Sequence, residues 1–387
     1  MNNQENRVYF EGLDGLRAIG ALSVLFGHIE LSKKTAGINN LMDVAFYKHT
    51  SGHLGVILFF VLSGFLITFL LLKEKEKHND IYVLNFYTRR ALRIWPIYYL
   101  IIFLLLFLFP FIIRFEYFAK PNWDSFSNNM PTLFIYLFMM PNLVSFGILG
   151  IGEGYHLASI GTEEQFYILW PWIVKLFKNI VTPLLLILVI IPLLPHFCDY
   201  FAAHFFTSDE NGFLFLKQTK EFFMYFKINC MALGGLFAFI YYKNITALLT
   251  IIYNKFIQGC ALVVGFSGWL SGFHLPYFND EFYALLFAII ILNTATNPQK
   301  LLSFNYSMTN YFGKISYGIF VYHWVVIYLI MDWIMPLKGN AILYNILLYT
   351  GSSIATWLVS HLSFFYFEQW FLKFKDRFAI VKSYKAL

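Results

Sequence analysis

The chain has 387 residues, 59% hydrophobic and only 13% charged, with a formal net charge of +6. A water-soluble domain carries about 25% charged residues, so the composition excludes an ordinary soluble fold and makes lipid the solvent. The basic residues are spread among the apolar runs rather than gathered in a patch, which argues for membrane topology and against nucleic acid as their reason.

Ten helices are expected to cross the bilayer, whose ~30 Å hydrocarbon core takes about 20 residues. They fall at 14–30, 53–72, 94–113, 160–177, 180–197, 221–242, 256–273, 281–297, 314–335 and 344–367. Residues 131–149 are apolar but short, hold Pro131 and Pro141, and run into Gly147, Gly150 and Gly152, so they are expected to be re-entrant or interfacial. With both termini cytoplasmic, most of the 28 lysines and arginines lie on inside segments, as the positive-inside rule requires. The fold class is thus an all-α polytopic helix bundle, a single transmembrane domain over 1–387 with no fused soluble domain. The first span holds Asp14 and Arg17 and lacks a small-residue cleavage site, so it is expected to stay in the mature protein. Cys198, Cys230 and Cys260 show no paired or metal-like spacing and are expected to be buried small hydrophobes.

Ionisable groups at membrane depth are costly and mark function. On the first span, Asp14 precedes Arg17 by one turn and can pair with it, and His28 lies about 16 Å further along the same face. Arg89, Arg90 and Arg93 share a helix face beside Pro96. Their planar guanidiniums suit phosphate, although an anchor on anionic lipid also explains them. Glu163 and Glu164 open a span closed by Lys175 and Lys178, where one carboxylate could simply cap the helix. His323 follows Lys314 by about 14 Å, and Glu368 precedes Lys373 and Lys375 as a structural partner for a basic residue. If Arg17, Lys175 and Lys314 mark the inner edge, then His28, Glu163, Glu164 and His323 share one depth near mid-membrane. Histidine beside carboxylate is what general acid–base chemistry requires. A proton-coupled transporter or flippase of a glycan or lipid precursor, with these groups as its relay, is the alternative. Against it, no inverted repeat is visible. A structural role in a glycan-assembly complex would leave His28 dispensable.

These residues together resemble the acyltransferase-3 family of membrane O-acyltransferases. The resemblance rests on five motifs in order: Leu13-Asp14-Gly15-Leu16-Arg17-Ala18 leading to His28; Phe59-Phe60-Val61-Leu62-Ser63-Gly64-Phe65; Arg90 and Arg93 before Pro96; Glu163-Glu164-Gln165-Phe166-Tyr167; and Ile315-Ser316-Tyr317 leading to Tyr322-His323 and Glu368. It implies ten helices in a bacterial inner membrane, an acyl-coenzyme A donor (most often acetyl) from the cytoplasm, and a hydroxyl acceptor on a surface glycan or its lipid-linked precursor. By motif match His28 is the catalytic base and Arg90 and Arg93 bind the donor, with Arg17 assisting. Glu163 or Glu164 would orient His28, and Tyr322 or His323 would stabilise the oxyanion. An acyl-enzyme on His28 or Ser63 is a less favoured variant. No metal and no permanently bound cofactor are expected. Two departures bear on the acceptor pocket: Leu157-Ala158-Ser159-Ile160-Gly161 stands where the family often has Trp-Ser-Leu, and Ile57 where it often has an acid. Some members carry a fused hydrolase-like domain, which this chain is expected to lack or to find in a separate partner.

Overall fold

The computed structural model describes residues 8–43, 51–108, 130–145, 155–208 and 211–378, and every regular element among them is helical. In chain order these include α1 (Leu13–Thr35), α2 (Ser51–His78) and α3 (Val83–Phe103), which ends in a π turn at Leu104–Leu108. The short α4 (Met130–Leu137) and α5 (Pro141–Ser145) come next. Then follow α6 (Ala158–Leu176), α7 (Val181–Phe205), α8 (Asn211–Tyr225) and α9 (Ile228–Tyr242). Last come α10 (Thr246–Tyr253), α11 (Lys255–Ser271), α12 (Asn279–Thr296), α13 (Ser307–Ile334), α14 (Ala341–Leu362) and α15 (Gln369–Lys375).

Each expected span meets a helix, but several boundaries move. The third helix starts at Val83, so Arg89, Arg90 and Arg93 sit on the helix itself, while positions 109–113 lie outside the described residues. The expected span 221–242 is broken between Tyr225 and Ile228. The expected span 180–197 extends further, because α7 runs through Pro192 and Pro195 to Phe205. At 1.5 Å per residue α4 measures about 12 Å, too short to cross, which agrees with a re-entrant or interfacial segment; 146–149 lie outside the described residues. Cys198 and Cys230 are buried, but Cys260 is exposed on α11. By length and composition alone, five helical stretches among the described residues suffice to span a membrane, or six if the bent pair α10–α11, at 58°, counts as one. Helices such as α1 and α3 fall short of that test because they carry the ionisable residues that line the interior. On α7 the apolar side chains Leu185, Leu186, Val189, Ile190 and Phe197 are exposed, as expected of a lipid-facing surface.

At the centre, α2 is wrapped by α1, α6, α9 and α12. Its closest crossing is with α9. A Cβ on Gly64 would lie 1.9 Å from the Met231 carbonyl oxygen, and one on Gly234 2.1 Å from that of Val61. Small residues that let backbones touch are the usual glue between membrane helices, since lipid supplies no hydrophobic drive to bring them together. Gly64→Ala must therefore spread two backbones, and a loss of about 1–3 kcal/mol is expected. It is readable as a lowered unfolding temperature in lipid-like detergent. An unchanged transition would mean the crossing is looser than described.

One end of the bundle, called basal here, is where α2 and α6 finish. There the Lys75 amine donates to the carbonyls of Val174, Lys175 and Phe177 at 2.6, 3.1 and 3.1 Å, supplying α6 with a C-cap from another helix. Glu74 accepts from the Tyr82 amide and pairs with Arg89 at 3.1 Å. Asp80, in the turn between α2 and α3, pairs with Lys175 at 2.9 Å. The Lys175 ammonium and the Ile81 amide hold its carboxyl below the ordinary range.

Candidate active site

Inside the bundle, on its basal side, lies a cavity of about 330 Å³. Six cationic side chains line it (Arg17, Arg90, Arg93, Lys314, Lys373 and Lys375) against two carboxylates, Asp14 and Glu163. Asp14 is already engaged by Arg17 at 2.5 Å, as the one-turn spacing predicts. The Arg90 guanidinium lies over the rings of Phe86 and Tyr167 at 5.6 and 5.4 Å, and its buried Nε has no hydrogen-bond partner. Arg93 makes no ion pair among the described residues, and its charged neighbours are chiefly Arg17 and Arg90. Arg89, grouped with these two in sequence, is diverted to Glu74 and to the Phe378 carbonyl. Gathering cations this way costs free energy unless anions join them, which makes this wall a candidate anion-binding surface.

Glu163 faces the same cavity. One of its oxygens accepts from both Ser63 and Tyr167. Glu164 points elsewhere, toward Trp95 Nε1 at 3.5 Å, and its second oxygen is buried without a partner. Neither carboxylate reaches His28, so the expected histidine–carboxylate pair is not formed. The reason lies in the depth markers. Arg17 and Lys314 line the cavity and do not share the level of Lys175, which lies at the basal end beside Lys75. Gly20 packs on Phe59 across the antiparallel α1–α2 contact, so Arg17 and Ser63, each about one turn basal of it, share a level. His28 lies about 16 Å further along α1. On α2 the same distance separates Ser63 from Gly52, whose Cβ position is 3.9 Å from His28 Cε1. The histidines thus form a second, apical level, and Glu163 belongs to the first.

At the apical level, His28 Nδ1 is 2.9 Å from the Val24 carbonyl and 3.1 Å from His323 Nε2. His323 Nδ1 is 3.1 Å from the Ile319 carbonyl. Carbonyls only accept, so His323 carries its proton on Nδ1 and offers a lone pair at Nε2. By the same argument His28 carries a proton on Nδ1, shared between Val24 and His323, and its Nε2 is left as a free base. His323 therefore accepts from His28 at Nε2 and spends its one N–H on the Ile319 carbonyl, which leaves it no proton to offer an oxyanion, the role expected of it. Tyr322 turns away to Ser363 at 3.0 Å, which in turn donates to Glu368 at 3.2 Å. That removes Tyr322 from the oxyanion role. Glu368 is thus bonded to the Ser363 hydroxyl, with Arg93 as the basic residue within electrostatic reach.

Sequence reasoning missed His156 and Trp324. The His156 ring stacks on Trp324 at 5.6 Å and 9°, and sits 5.8 Å from His323. Trp324 stands edge-on to His28 at 5.1 Å. His156 is 4% exposed, and although the Val321 backbone is within reach, neither ring nitrogen completes a well-formed hydrogen bond. The only signal was a histidine in the 3-10 turn Tyr155–Leu157 just ahead of α6, outside every expected span. The neighbouring amides of Asn142 and Gln165 bond reciprocally at 3.0 Å and tie α5 to α6 beside this turn.

The family model described as "Acyltransferase domain" matches residues 10–362. Peptidoglycan O-acetyltransferase OatA of Listeria monocytogenes is 25% identical over 403 residues, covering 96% of this chain and 58% of the relative. O-acetyltransferase OatA of Staphylococcus aureus is 27% identical over 343 residues, covering 82% of this chain and 51% of the relative. The chain thus spans between half and three-fifths of the length of these curated relatives, and no solved structure matches it. With the family model running through both levels of the site, from Phe10 past His323, the chain belongs to the acyltransferase-3 family and is a multi-pass membrane protein.

Proposed function

We propose that this protein is a membrane O-acetyltransferase that carries an acetyl group from cytoplasmic acetyl-coenzyme A to a hydroxyl of a cell-envelope glycan at the outer side. In this reading the chain crosses a bacterial inner membrane about ten times, both termini are cytoplasmic, and the basal end faces the cytoplasm. Peptidoglycan, the acceptor in the name of the Listeria relative, is the first acceptor to test. The observation that carries the reading is the pairing of a cation-lined basal cavity with a histidine base about 16 Å from Arg17, one of its cations. A coenzyme A thioester has that shape: a phosphate-rich head on a long neutral arm.

Arg90, Arg93 and Arg17 hold the phosphates, with Lys314, Lys373 and Lys375 at the basal approach. Glu163, bridged to Ser63 and Tyr167, fixes the ring on which Arg90 rests. At the apical level the acceptor oxygen attacks the thioester carbonyl as its proton passes to His28 Nε2. His323 holds the imidazole in the required tautomer, as the acid does in a triad. The His156 N–H is a candidate donor for the oxyanion, since neither ring nitrogen completes a well-formed hydrogen bond. Collapse of the tetrahedral intermediate forms the ester and breaks the C–S bond, and the thiolate recovers the proton from His28 to leave as free coenzyme A.

The test is a reconstituted assay with labelled acetyl-coenzyme A and peptidoglycan fragments, wild type beside His156→Ala. Time-dependent coenzyme A release with label on the glycan is expected. The variant should lose about 10²-fold in kcat at unchanged donor Kd. A wild type that neither binds nor consumes any acyl-coenzyme A would overturn the reading in favour of a transporter.

A further inference from the structure

Away from the cavity, a second polar cluster lies where three helices begin. His53 stands in the first turn of α2, Lys227 and Asn229 at the start of α9, and Asp280 and Glu281 in the first turn of α12. Asp280 engages two of them: His53 Nε2 is 2.8 Å from its Oδ1, and the Lys227 amine is 3.0 Å from its Oδ2. Asn229 donates to Glu281 Oε1 at 2.6 Å. None of the five lines the cation-rich cavity. They belong to the apical level instead. His53 follows Gly52, whose Cβ position is 3.9 Å from His28 Cε1, so the His53 Cα lies within about 9 Å of that imidazole.

Acidic residues suit a helix start, and the pair of Asp280 with Lys227 joins α9 to α12. Glu281 fits neither purpose so simply. It makes no ion pair among the described residues, and its Oε2 accepts no hydrogen bond there. Asn229, which holds it, is 1% exposed, and its side-chain oxygen is buried with no partner. An unpaired interior oxygen is costly, so this amide serves to aim Glu281 rather than to stabilise the fold. His53 is open as well. A carboxylate only accepts, so His53 carries its proton on Nε2 and presents a lone pair at Nδ1, on a side chain that is 44% exposed. The cluster thus offers two open acceptors, His53 Nδ1 and Glu281 Oε2, while the Lys227 amine and the His53 N–H are spent on Asp280. Such a surface calls for hydroxyl donors, whereas the basal wall of cations calls for anions.

Resting on the function proposed above, we infer that His53 and Glu281 form an acceptor subsite for a neutral glycan. They accept hydrogen bonds from sugar hydroxyls beside the one that attacks at His28. Asn229 and Asp280 are the positioning residues behind them. Ionisable groups at membrane depth mark function, and hydroxyl recognition supplies one for this cluster.

Two readouts test it. The first is the acceptor KM for peptidoglycan fragments in the acetyl-coenzyme A assay. Glu281→Gln keeps an oxygen for Asn229 and turns the open acceptor into a donor. Its acceptor KM should rise about tenfold, a hydrogen bond to a charged group being worth that much. His53→Ala, at an exposed position and with Lys227 still on Asp280, should act similarly. Donor Kd, and kcat at saturating acceptor, should stay within about twofold of wild type. The second readout needs no donor: calorimetric binding of chitotetraose, a neutral oligosaccharide of N-acetylglucosamine, to the full chain in detergent. Wild type should bind, and both variants should bind about tenfold more weakly. An unchanged acceptor KM in both variants overturns the subsite, and so does a wild type that binds no chitotetraose. A lowered unfolding temperature with acceptor KM intact would make the cluster a structural tie and overturn it too. If wild type consumes no acyl-coenzyme A yet binds the oligosaccharide through Glu281, acyl transfer falls and the subsite stands.

Discussion

Replacing His28 with alanine is expected to cut acyl transfer about 10³-fold while donor affinity stays within about twofold of wild type. The magnitude follows from removing a positioned general base. The split between rate and binding follows from geometry, since His28 stands outside the cavity that Arg17, Arg90 and Arg93 line. His323→Ala should be milder. It leaves Val24 to hold the His28 Nδ1 proton, and a glutamine at 323, able to accept the same proton, should recover part of the loss. Separate measurement of donor binding and coenzyme A release checks both. A His28→Ala protein that turns over normally would leave the apical histidines structural.

The Arg90→Ala/Arg93→Ala double variant is expected to fail in the opposite way. Donor binding should weaken by about 100-fold or more, because each charge-assisted hydrogen bond is worth about 1.5–3 kcal/mol and 1.4 kcal/mol is tenfold. Arg89→Ala is the control. Its guanidinium is spent on Glu74 and the Phe378 carbonyl, so it should cost stability at the basal end and leave donor affinity alone. Equal effects on binding from all three arginines would mean that they act as a diffuse anchor for lipid.

The helical architecture was legible because lipid imposes long apolar runs, and the expected spans 256–273 and 281–297 match α11 and α12 to within two residues at each end. Legibility failed where polarity serves the interior. In α1, Asp14, Glu30 and Lys33 are buried in protein and Arg17 lines the cavity, and Glu30 and Lys33 pair at 2.7 Å in full burial. An apolarity test undervalues such a helix. The break between α8 and α9 left no proline or glycine to mark it. Arg90, Arg93 and His28 were legible as separate features, but the assembly of the site was not. One-dimensional depth requires a common zero, and Arg17 and Lys314, which line the cavity, are not level with Lys175 at the basal end. Glu163 was therefore assigned to the wrong partner. His156 was invisible for a different reason: its position is set by a turn packed under α13, which no helical periodicity reports.

The basal capping of α6 by Lys75 has a mechanical consequence. It ties α2 and α6 into one frame, and the pair of hydroxyls on Glu163 bridges the same two helices further in. Arg17 and Lys314 are not on that frame. They ride on α1 and α13, near the basal ends of two rods that pack against each other and carry His28 and His323 at their far reaches. Gly20, seated on Phe59 between Arg17 and His28, is a fulcrum. A tilt of α1 that draws Arg17 toward an anion swings His28 the other way by more than the arginine moves, because the apical arm is the longer. Such a tilt would couple the two levels through leverage, with no charge or proton having to travel between them.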